Sequence, residues 1–354
     1  MSTVKTDDLR IADVSPVINP HMLFEQIPSS DKAAETTLKA REQIQQILLG
    51  DDDRVLVICG PCSIHDVDAA LDYAGRLLAL KQQHENDLLI VMRVYFEKPR
   101  TTVGWKGLIN DPDLDQSFDI NKGLHLARKL LLDLNNMGMP AGTEYLDLIT
   151  PQYLADMISW GAIGARTTES QLHRELTSGL SCPVGLKNGT NGNLDIAVDA
   201  IRAAARPHRF LSLTKHGQSS IYTTTGNPYC HMILRGGREP NFDADNVNLA
   251  CEKLNQAGVS PQVMIDFSHA NSRKIPENQI GVCNEVCQQI SAGDARIMGA
   301  MIESHLVAGR QDVVDGVAVT YGQSITDACI GIEDTTSMLS HLAEAVRDRR
   351  KRNT

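Results

Sequence analysis

The sequence predicts an α/β protein whose eight parallel strands and connecting helices close into a (β/α)8 barrel of the TIM type. Short apolar, β-branched runs recur between longer helical patterns, as in repeated βα units. There are eight such runs, and polar or charged residues follow each of them. An open doubly wound sheet would show the same alternation, but eight regular units favour closure.

The predicted strands lie between residues 55 and 302. In order they are Val55–Ile58, Leu88–Val94, Ala141–Leu146, Ala162–Arg166, Val184–Lys187, His231–Arg235, Val263–Phe267 and Ile297–Ile302. Helical patterns between them carry start signals, because Asp66 and Thr150-Pro151 each precede one helix and Thr168 with Gln171 could form a capping box before another. Each strand therefore has its own crossover.

Two segments are additional to the eight units. Residues 1–53 form an N-terminal extension with a predicted helix from Asp31 to Leu49, and the barrel occupies residues 54–354. Within the barrel, Phe210 to Thr225 is predicted to be an inserted two-stranded β element around Lys215-His216-Gly217-Gln218. The basic end, Arg347 to Arg352, is expected to be a solvated helix end, where cations suit the helix dipole.

The composition of the 354-residue chain is that of an ordinary globular protein, with 42% hydrophobic and 22% charged residues. A net charge of −10 argues against nucleic-acid binding, so an anionic substrate would need a local cluster of Lys and Arg. No apolar run approaches the ~18 residues of a membrane helix, and Met1 to Arg10 lacks the apolar centre of a secretion signal. We expect a soluble, cytoplasmic protein that binds no membrane.

Five cations follow the predicted strands and would face a common space if the barrel closes. They are Arg93, Lys98, Arg166, Lys187 and Arg235. Arg binds phosphate and carboxylate groups bidentately, whereas Lys provides a compact charge and a possible proton donor. Any one of them could instead pair with a carboxylate, but five converging cations predict a site for a dianion or trianion.

A second group combines a thiol, an imidazole and two carboxylates. Cys62 follows the first strand, His269 the seventh and Glu303 the eighth, and Asp327 comes soon after. Such a mixed S, N and O set can hold Mn²⁺, Fe²⁺, Co²⁺ or Zn²⁺, and the sequence does not choose among them. Any one of these residues alone would more often be a packing or hydrogen-bonding residue.

The eight cysteines are expected to be thiols in a reducing cytosol. Cys59 and Cys62 have the C-x-x-C spacing of a thioredoxin-like redox pair, but the Gly60-Pro61 turn between them is not followed by the helix start that such a pair requires. Cys283 and Cys287, one helical turn apart, are interpreted as packing residues.

The strand ends resemble those of the type I 3-deoxy-D-arabino-heptulosonate-7-phosphate synthases of the shikimate pathway. The similarity spans nearly the whole chain. The stretches that carry it are Gly60 to Asp66 (GPCSIHD), Arg93 to Asp111 (RVYFEKPRTTVGWKGLIND), Gly161 to Ser170 (GAIGARTTES) and Asp266 to Asn271 (DFSHAN). Stretches of this length are highly specific.

The resemblance implies a divalent metal ion held by Cys62, His269, Glu303 and Asp327, with Lys98, Glu144, Cys62 and His269 in catalysis. Matching positions imply that phosphoenolpyruvate is bound by Arg93, Lys98, Glu144, Gly164, Ala165, Arg166, Lys187 and Arg235. They imply that erythrose 4-phosphate is bound by Arg100, Thr101 and Asp327. The family also implies a homodimer or homotetramer.

Feedback inhibition by an aromatic amino acid is a further implication. The matching positions are Asp7, Asp8, Leu148, Gln152, Leu176, Leu180, Ser181, Phe210, Ser212 and Tyr222. This set is most similar to the phenylalanine-sensitive group, although Tyr222 resembles the tryptophan-sensitive group. Each apolar side chain in it could equally pack the insertion onto the barrel.

Two other functions stay open at this point. One is a related phosphoenolpyruvate-dependent synthase that uses another aldose acceptor, which an assay with several acceptors would distinguish. The other is a non-catalytic phosphate-binding barrel, since a fold alone does not imply chemistry.

Overall fold

The computed structural model describes residues 5–100 and 102–353. Twelve strands in this part of the chain are numbered in chain order. They are β1 (Val55–Gly60), β2 (Leu88–Arg93), β3 (Ala141–Glu144), β4 (Trp160–Ile163), β5 (Val184–Lys187), β6 (Arg209–Leu213), β7 (Ser219–Thr223), β8 (Cys230–Leu234), β9 (Val263–Asp266), β10 (Ile297–Glu303), β11 (Val307–Arg310) and β12 (Gln323–Ser324).

The same residues form ten α-helices and a short 3-10 turn at Ala155–Met157. The helices are α1 (Pro20–Gln26), α2 (Asp31–Leu49), α3 (Val67–Gln83), α4 (Ile120–Met137), α5 (Pro151–Leu154), α6 (Gln171–Gly179), α7 (Asp195–Ala204), α8 (Ala244–Gln256), α9 (Asn278–Ser291) and α10 (Ile332–Asn353). No helix among the described residues is long and apolar enough to cross a membrane.

Eight of the strands form a closed, all-parallel barrel, which confirms the predicted fold class. Their order around the barrel is β1-β10-β9-β8-β5-β4-β3-β2. Closure pairs the first strand with the last, and Gly60 lies opposite Glu303 in the register of β1 and β10. The carboxyl ends of all eight strands therefore open on one face, where functional residues of such barrels gather.

The predicted strand positions are right, but several ends differ. The prediction for the fourth strand, Ala162–Arg166, is displaced, because β4 ends at Ile163. The chain turns there, since the Gly164 carbonyl accepts hydrogen bonds from the amides of Thr167 and Thr168 at 3.0 Å. The third strand likewise ends at Glu144 rather than Leu146.

Alternate side chains of the strands pack on opposite sides of the barrel wall. Val55 and Val57 face the surrounding helices, whereas Leu56 and Ile58 belong to an inner cluster that fills the barrel. Trp160 lies in that inner cluster, and its indole N–H donates to His231 Nε2 at 3.0 Å. The barrel interior is therefore a packed core that supports the open face above it.

Two predicted helix starts are confirmed and a third is wrong, and one of the confirmed starts is Thr150-Pro151, since α5 begins at Pro151. The Asp66 side chain accepts the amide of Ala69 at 3.0 Å and so caps α3 as expected. The predicted capping box of Thr168 and Gln171 does not form. Thr168 Oγ1 instead donates to the Gly164 carbonyl at 2.9 Å, and α6 begins at Gln171 after Ser170. The tight turn after β4 has taken the hydroxyl that the box would have used.

Both additional segments adopt the predicted structure. Helix α2 has the predicted bounds, and the Ser30 hydroxyl caps it by accepting the Ala33 amide at 3.1 Å. Helix α1, just before it, was not predicted. Strands β6 and β7 pair in antiparallel fashion as a hairpin, with Phe210 opposite Tyr222. A role of residues 1–53 in oligomerisation or regulation, beside a catalytic barrel, stays a prediction.

The basic C-terminal end is not simply a solvated helix end, so that expectation is wrong. Arg350 of α10 contacts Asp53 and Asp87, both at 2.6 Å, and Arg347 contacts Asp87 at 2.5 Å. Because Asp53 precedes β1 and Asp87 precedes β2, these ion pairs hold the last helix against the start of the barrel.

Candidate active site

A cavity of about 200 Å³ opens at the carboxyl ends of the barrel strands. We call it the catalytic cavity. Ten of the residues selected from the sequence line it, and these are Lys98, Arg100, Glu144, Gly164, Ala165, Arg166, Lys187, Arg235, His269 and Asp327. Barrel closure has thus brought together residues from strands that are far apart in sequence, as predicted.

Six cations line the catalytic cavity, against the two carboxylates of Glu144 and Asp327. Lys187 Nζ contacts Asp266 Oδ2 at 2.9 Å, and both side chains are buried. Burial, together with the nearby Arg166 charge, lowers the pKa of Arg235, although Asp266 opposes this shift. The cluster of cations around the cavity favours an anionic ligand in the same space.

Asp266, at the end of β9, organises this face of the barrel and was not selected as a site residue from the sequence. Its carboxylate binds Lys187, His269 Nδ1 at 2.8 Å and the Ser268 hydroxyl at 2.6 Å. Burial alone would raise the pKa of Asp266, but the charges of His269 and Lys187 outweigh it and hold that pKa well below its usual range. The sequence could have indicated Asp266 as a site residue only through its position at the end of a strand.

Two glycines allow close approaches that the site requires. A Cβ on Gly164 would lie 2.1 Å from Glu144 Oε1, and a Cβ on Gly60 would lie 2.7 Å from the Arg93 carbonyl oxygen. Neither position can accept a side chain without moving a site residue. These glycines therefore set how closely neighbouring strand ends pack.

Arg93 is placed differently from the other predicted cations. It is almost fully buried and is not among the residues that line the catalytic cavity. Its Nε donates to the Pro61 carbonyl at 3.0 Å and Nη2 to the Cys62 carbonyl at 3.2 Å, while Nη2 lies 2.9 Å from Glu303 Oε1. Arg93 thus contacts the loop after β1 and the end of β10 together.

Three of the four predicted metal ligands lie together. One donor atom each of Cys62, Glu303 and Asp327 falls within 4.8 Å of the other two. Glu303 Oε1 is buried, and despite its proximity to Arg93 no described residue donates a hydrogen bond to it with acceptable geometry. A buried carboxylate oxygen that accepts no hydrogen bond in a thiol–carboxylate group fits a bound cation.

His269, the fourth predicted ligand, borders this group. Its Nε2 lies 3.9 Å from Glu303 Oε1, and its Nδ1 is held by Asp266 and by the Ser268 hydroxyl at 2.7 Å. A carboxylate on one ring nitrogen is how metal-binding imidazoles are commonly oriented. His269 has a φ of 57°, an uncommon backbone conformation that is found at functional positions.

The charges around Cys62 bear on its ionisation. Burial and the carboxylates of Glu303 and Asp327 raise the pKa of the Cys62 thiol, while Lys98 and Arg93 act in the opposite direction. A divalent cation between these donors would reverse this balance, since a coordinating thiol is deprotonated. The donor set therefore fits a divalent metal ion.

Lys98 lies between the metal group and the catalytic cavity. Its ammonium donates to the Cys62 carbonyl at 3.0 Å. Burial alone would lower the pKa of Lys98, but the neighbouring Cys62, Glu303 and Glu144 charges raise it overall. Lys98 is therefore a protonated group that can donate a hydrogen bond or a proton into the cavity.

Several residues beside the metal group were missed by the sequence reasoning. The Ser63 hydroxyl is 2.7 Å from the Thr326 hydroxyl, which ties the Cys62 loop to the Asp327 loop. Lys274 lines the catalytic cavity, and Lys274 and Arg310 both line an adjoining cavity of about 170 Å³. Arg310 ends β11, which is not one of the eight predicted strands, and Lys274 and Thr326 lie in loops that no strand-end pattern marks, so only the fold reveals their positions.

The cysteine chemistry agrees with the sequence interpretation. All eight cysteines are free thiols. Cys59 faces away from Cys62 and contacts the Tyr73 hydroxyl at 3.2 Å, and burial raises its pKa to about 12. A thiol held protonated in this way does not suit a thioredoxin-like pair.

Thr101, a predicted contact of the second substrate, lies outside the described residues.

A larger cavity of about 610 Å³ lies under the β6–β7 hairpin. Seven of the ten predicted effector residues line this hairpin cavity, and these are Gln152, Leu176, Leu180, Ser181, Phe210, Ser212 and Tyr222. Phe210 and Tyr222 stack with ring centroids 6.1 Å apart. Leu148 packs against the core nearby, whereas Asp7 and Asp8 are exposed and are not among the lining residues.

Comparisons with known proteins agree with this site. The sequence model of the DAHP synthetase I family matches residues 30–340. The chain is 61% identical over 346 residues to the Phe-sensitive phospho-2-dehydro-3-deoxyheptonate aldolase of Escherichia coli (strain K12), covering 98% of this chain and 99% of that protein. It is 54% identical over 345 residues to the Trp-sensitive protein of the same strain, with the same coverage.

A solved structure shares both fold and sequence with this chain. The phospho-2-dehydro-3-deoxyheptonate aldolase of Francisella tularensis SCHU S4 superposes with a TM-score of 0.94 at 54% identity, covering 96% of this chain and 99% of that one. The match to the family model and the relatives extend across the barrel and both groups of site residues. This chain belongs to the DAHP synthetase I family.

Proposed function

We propose that the protein condenses phosphoenolpyruvate with erythrose 4-phosphate and water to give 3-deoxy-D-arabino-heptulosonate 7-phosphate and phosphate, the first step of the shikimate pathway. The observation that carries the proposal is a cavity lined by Lys98, Arg166, Lys187 and Arg235 that adjoins the Cys62–Glu303–Asp327 group, whose Asp327 also lines it. The names of relatives up to 61% identical favour this acceptor over another aldose phosphate.

Cys62, Glu303 and Asp327 would hold a divalent metal ion, with His269 Nε2 as a fourth donor. When bound, it supplies Lewis acidity toward the aldehyde oxygen of the acceptor. Mn²⁺, Fe²⁺, Co²⁺ and Zn²⁺ all suit a mixed S, N and O set. The Asp266 carboxylate fixes His269 Nδ1, which directs Nε2 toward the metal group.

The cations hold the phosphoenolpyruvate. Arg166 and Arg235 present planar donor pairs for its phosphate and carboxylate groups, and Lys187, fixed by Asp266, adds a point charge. Gly164 and Ala165 bring backbone close to the same ligand, and Arg93 acts from behind the cavity wall. Arg100 and Asp327 face the acceptor, for which Thr101 is a further proposed contact. Two anionic substrates can thus meet in an orientation that repulsion disfavours in water.

The reaction forms a carbon–carbon bond between the substrates and a carbon–oxygen bond to water, and it breaks the carbon–oxygen bond between C2 and phosphate. C3 of phosphoenolpyruvate attacks the aldehyde carbon, and Lys98 donates a proton to the developing alkoxide. Water adds at C2, with its proton accepted by Glu144, and phosphate leaves with its bridging oxygen. Lys98 and Glu144 both line the cavity, on the metal side and on the β3 end respectively.

The test is phosphate release from phosphoenolpyruvate and erythrose 4-phosphate, before and after metal removal. Turnover should disappear with a chelator and return with added Mn²⁺. Parallel reactions with five-carbon aldose phosphates serve as the acceptor control. Activity with those acceptors alone would replace the proposed substrate, and binding of phosphoenolpyruvate without turnover in any metal would indicate a non-catalytic barrel.

Regulation by an aromatic amino acid is assigned to the hairpin cavity, with phenylalanine as the first choice. Leu176, Leu180 and Phe210 give it apolar walls, and Ser181 and Ser212 add polar groups suited to the ends of an amino acid. The relative with the higher identity is named Phe-sensitive and the other Trp-sensitive. Such an effector must bind one conformational state better than the other.

Inhibition assays with each of the three aromatic amino acids test this assignment. Assays of a variant lacking residues 1–12, compared with the intact chain, examine Asp7 and Asp8, which we propose approach the cavity in a homodimer or homotetramer. If no amino acid inhibits the intact enzyme, the regulation is absent. If truncation leaves inhibition unchanged, the N-terminal segment has no part in it.

A further inference from the structure

A buried aromatic ring lies against the two cations behind the metal group. The centroid of the Tyr95 ring is 3.6 Å from Arg93 Cζ and 5.9 Å from Lys98 Nζ. Tyr95 is fully buried and follows β2 by two residues, in the inner cluster of the barrel. Its hydroxyl is also buried and has no hydrogen-bond partner among the described residues. The contribution of Tyr95 is therefore its ring face.

The Tyr95 ring and the hydrogen bonds of Arg93 restrain the Arg93 guanidinium in different directions. The donors at the edge of the Arg93 guanidinium contact the Pro61 and Cys62 carbonyls, Glu303 and the Met301 sulfur. The face of the guanidinium lies on Tyr95. The edge contacts restrain the guanidinium within its plane, and the ring against its face adds a restraint perpendicular to that plane.

Both cations act on residues that provide metal donors. Arg93 and Lys98 each donate to the Cys62 carbonyl, and Arg93 also lies beside Glu303. The two positive charges repel each other, and the Arg93 charge acts to lower the pKa of Lys98. The negative face of an aromatic ring near both cations offsets that repulsion in a site with little water.

We propose that Tyr95 is a positioning residue of the metal site, whose ring face orients Arg93 and Lys98 and through them Cys62 and Glu303. The inference depends on the metal site of the proposed function. It does not depend on the substrates. The side chain acts independently of the Tyr95 backbone, whose carbonyl accepts the Ile64 amide at 2.9 Å and would do so with any residue at this position.

The experiment measures Mn²⁺ affinity of the metal-stripped full-length protein by the electron paramagnetic resonance signal of free Mn²⁺. Tyr95→Phe should keep the wild-type affinity, because the ring remains and only an unpartnered hydroxyl is lost. Tyr95→Leu should weaken Mn²⁺ binding about tenfold to thirtyfold, which corresponds to a desolvated cation–π contact. The matched control is Phe96→Leu, which removes the neighbouring buried ring from the outer layer of the barrel.

Fluorinated phenylalanines at position 95 give a second measurement that does not depend on the Leu variant folding. Mono-, di- and trifluorination weaken the negative ring face with little change in shape, so Mn²⁺ affinity should fall stepwise. Equal affinities across that series, or equal losses in Tyr95→Leu and Phe96→Leu, would overturn the proposal. A loss in Tyr95→Phe as large as in Tyr95→Leu would assign the effect to the hydroxyl instead. Absence of Mn²⁺ binding by the wild-type protein would contradict the metal site itself.

Discussion

The catalytic cavity and the hairpin cavity are two sites on one barrel with opposite construction. The catalytic cavity is smaller, about 200 Å³ against about 610 Å³, and its charged groups are held by buried ion pairs such as Lys187–Asp266. The hairpin cavity has apolar walls from Leu176, Leu180 and Phe210 among polar residues, and it lies under an insertion whose outer face is exposed, with Leu211 at 80% and Ile221 at 73% exposure.

The difference shows that the two sites depend on different forces. Strand ends of a closed barrel cannot move independently, so the catalytic groups are preorganised by the core beneath them. A two-stranded hairpin is marginally stable by itself and relies on what it packs against. Substitutions in the catalytic cavity should therefore abolish turnover. Substitutions in the hairpin cavity should alter regulation and leave turnover unchanged.

The largest effect is expected from removing a metal donor. Cys62→Ala should lower kcat about a thousandfold or more, because the aldehyde loses several kcal/mol of electrophilic activation. Metal content after dialysis and steady-state turnover measure it. Cys251→Ala, which replaces a thiol of α8 on the outside of the barrel, is the control. A fully active Cys62→Ala variant would mean that the metal group is misplaced.

A smaller effect in the catalytic cavity is expected from removing a single cation. Lys187→Ala or Arg166→Ala removes a charge-assisted contact worth ~1.5 to 3 kcal/mol, which should weaken phosphoenolpyruvate affinity roughly tenfold to over a hundredfold. Isothermal titration with phosphoenolpyruvate measures the change. The control Lys253→Ala removes an exposed lysine that pairs with Asp195. Unchanged affinity in both cavity variants would contradict the assignment of the cation cluster.

A substitution in the hairpin cavity should change inhibition and leave turnover unchanged if the two cavities act separately. Phe210→Ala should leave kcat and KM near wild type and weaken inhibition by phenylalanine about fivefold to a hundredfold, the range of typical allosteric coupling. Leu211→Ala, at the exposed side of the same strand, is the matched control. If Phe210→Ala lowers turnover as strongly as it relieves inhibition, the two cavities are not separable.

The smallest effect is a change of stability with pH that originates in the barrel core. Burial lowers the pKa of His231 to about 4, below the ~6.5 of an unfolded histidine. Neutral His231 therefore makes its full contribution to the free energy of unfolding above pH 6.5. About 3 kcal/mol of that contribution is lost as the pH falls toward 4. Urea unfolding from pH 7 to 4.5 should show a shallower decline for His231→Gln. Parallel declines would mean that His231 is not the cause.

The barrel and most of the catalytic site could be predicted because they follow from periodic patterns. The residues at the end of a barrel strand lie beside the catalytic cavity regardless of how the helices pack. Lys187 and His269 could therefore be predicted from their positions alone. The capping box of Thr168 failed because a tight turn competes locally for the same hydroxyl. Arg93 fits the strand-end pattern but lies behind the cavity, since an adjacent carboxylate and two carbonyls attract it.

Other features could not be predicted because they join loops with no periodic signal. Lys274 follows β9 in an irregular turn, and the contact of Ser63 with Thr326 depends on barrel closure. The hairpin cavity was located only through family resemblance, because apolar residues of an insertion look like any packing residue. The roles of individual site residues stay predictions.

The barrel closes between its first and last strands, and this has a consequence for synthesis on the ribosome. Ser63 and Thr326, which lie on the loops of two metal donors, are 263 residues apart in sequence. A chain that emerges from its N-terminus exposes the Cys62 thiol long before its partner carboxylates exist. The ion pairs of Arg350 with Asp53 and Asp87 form later still. The proposed metal site is therefore complete only when synthesis has reached Asp327, close to the end of the chain.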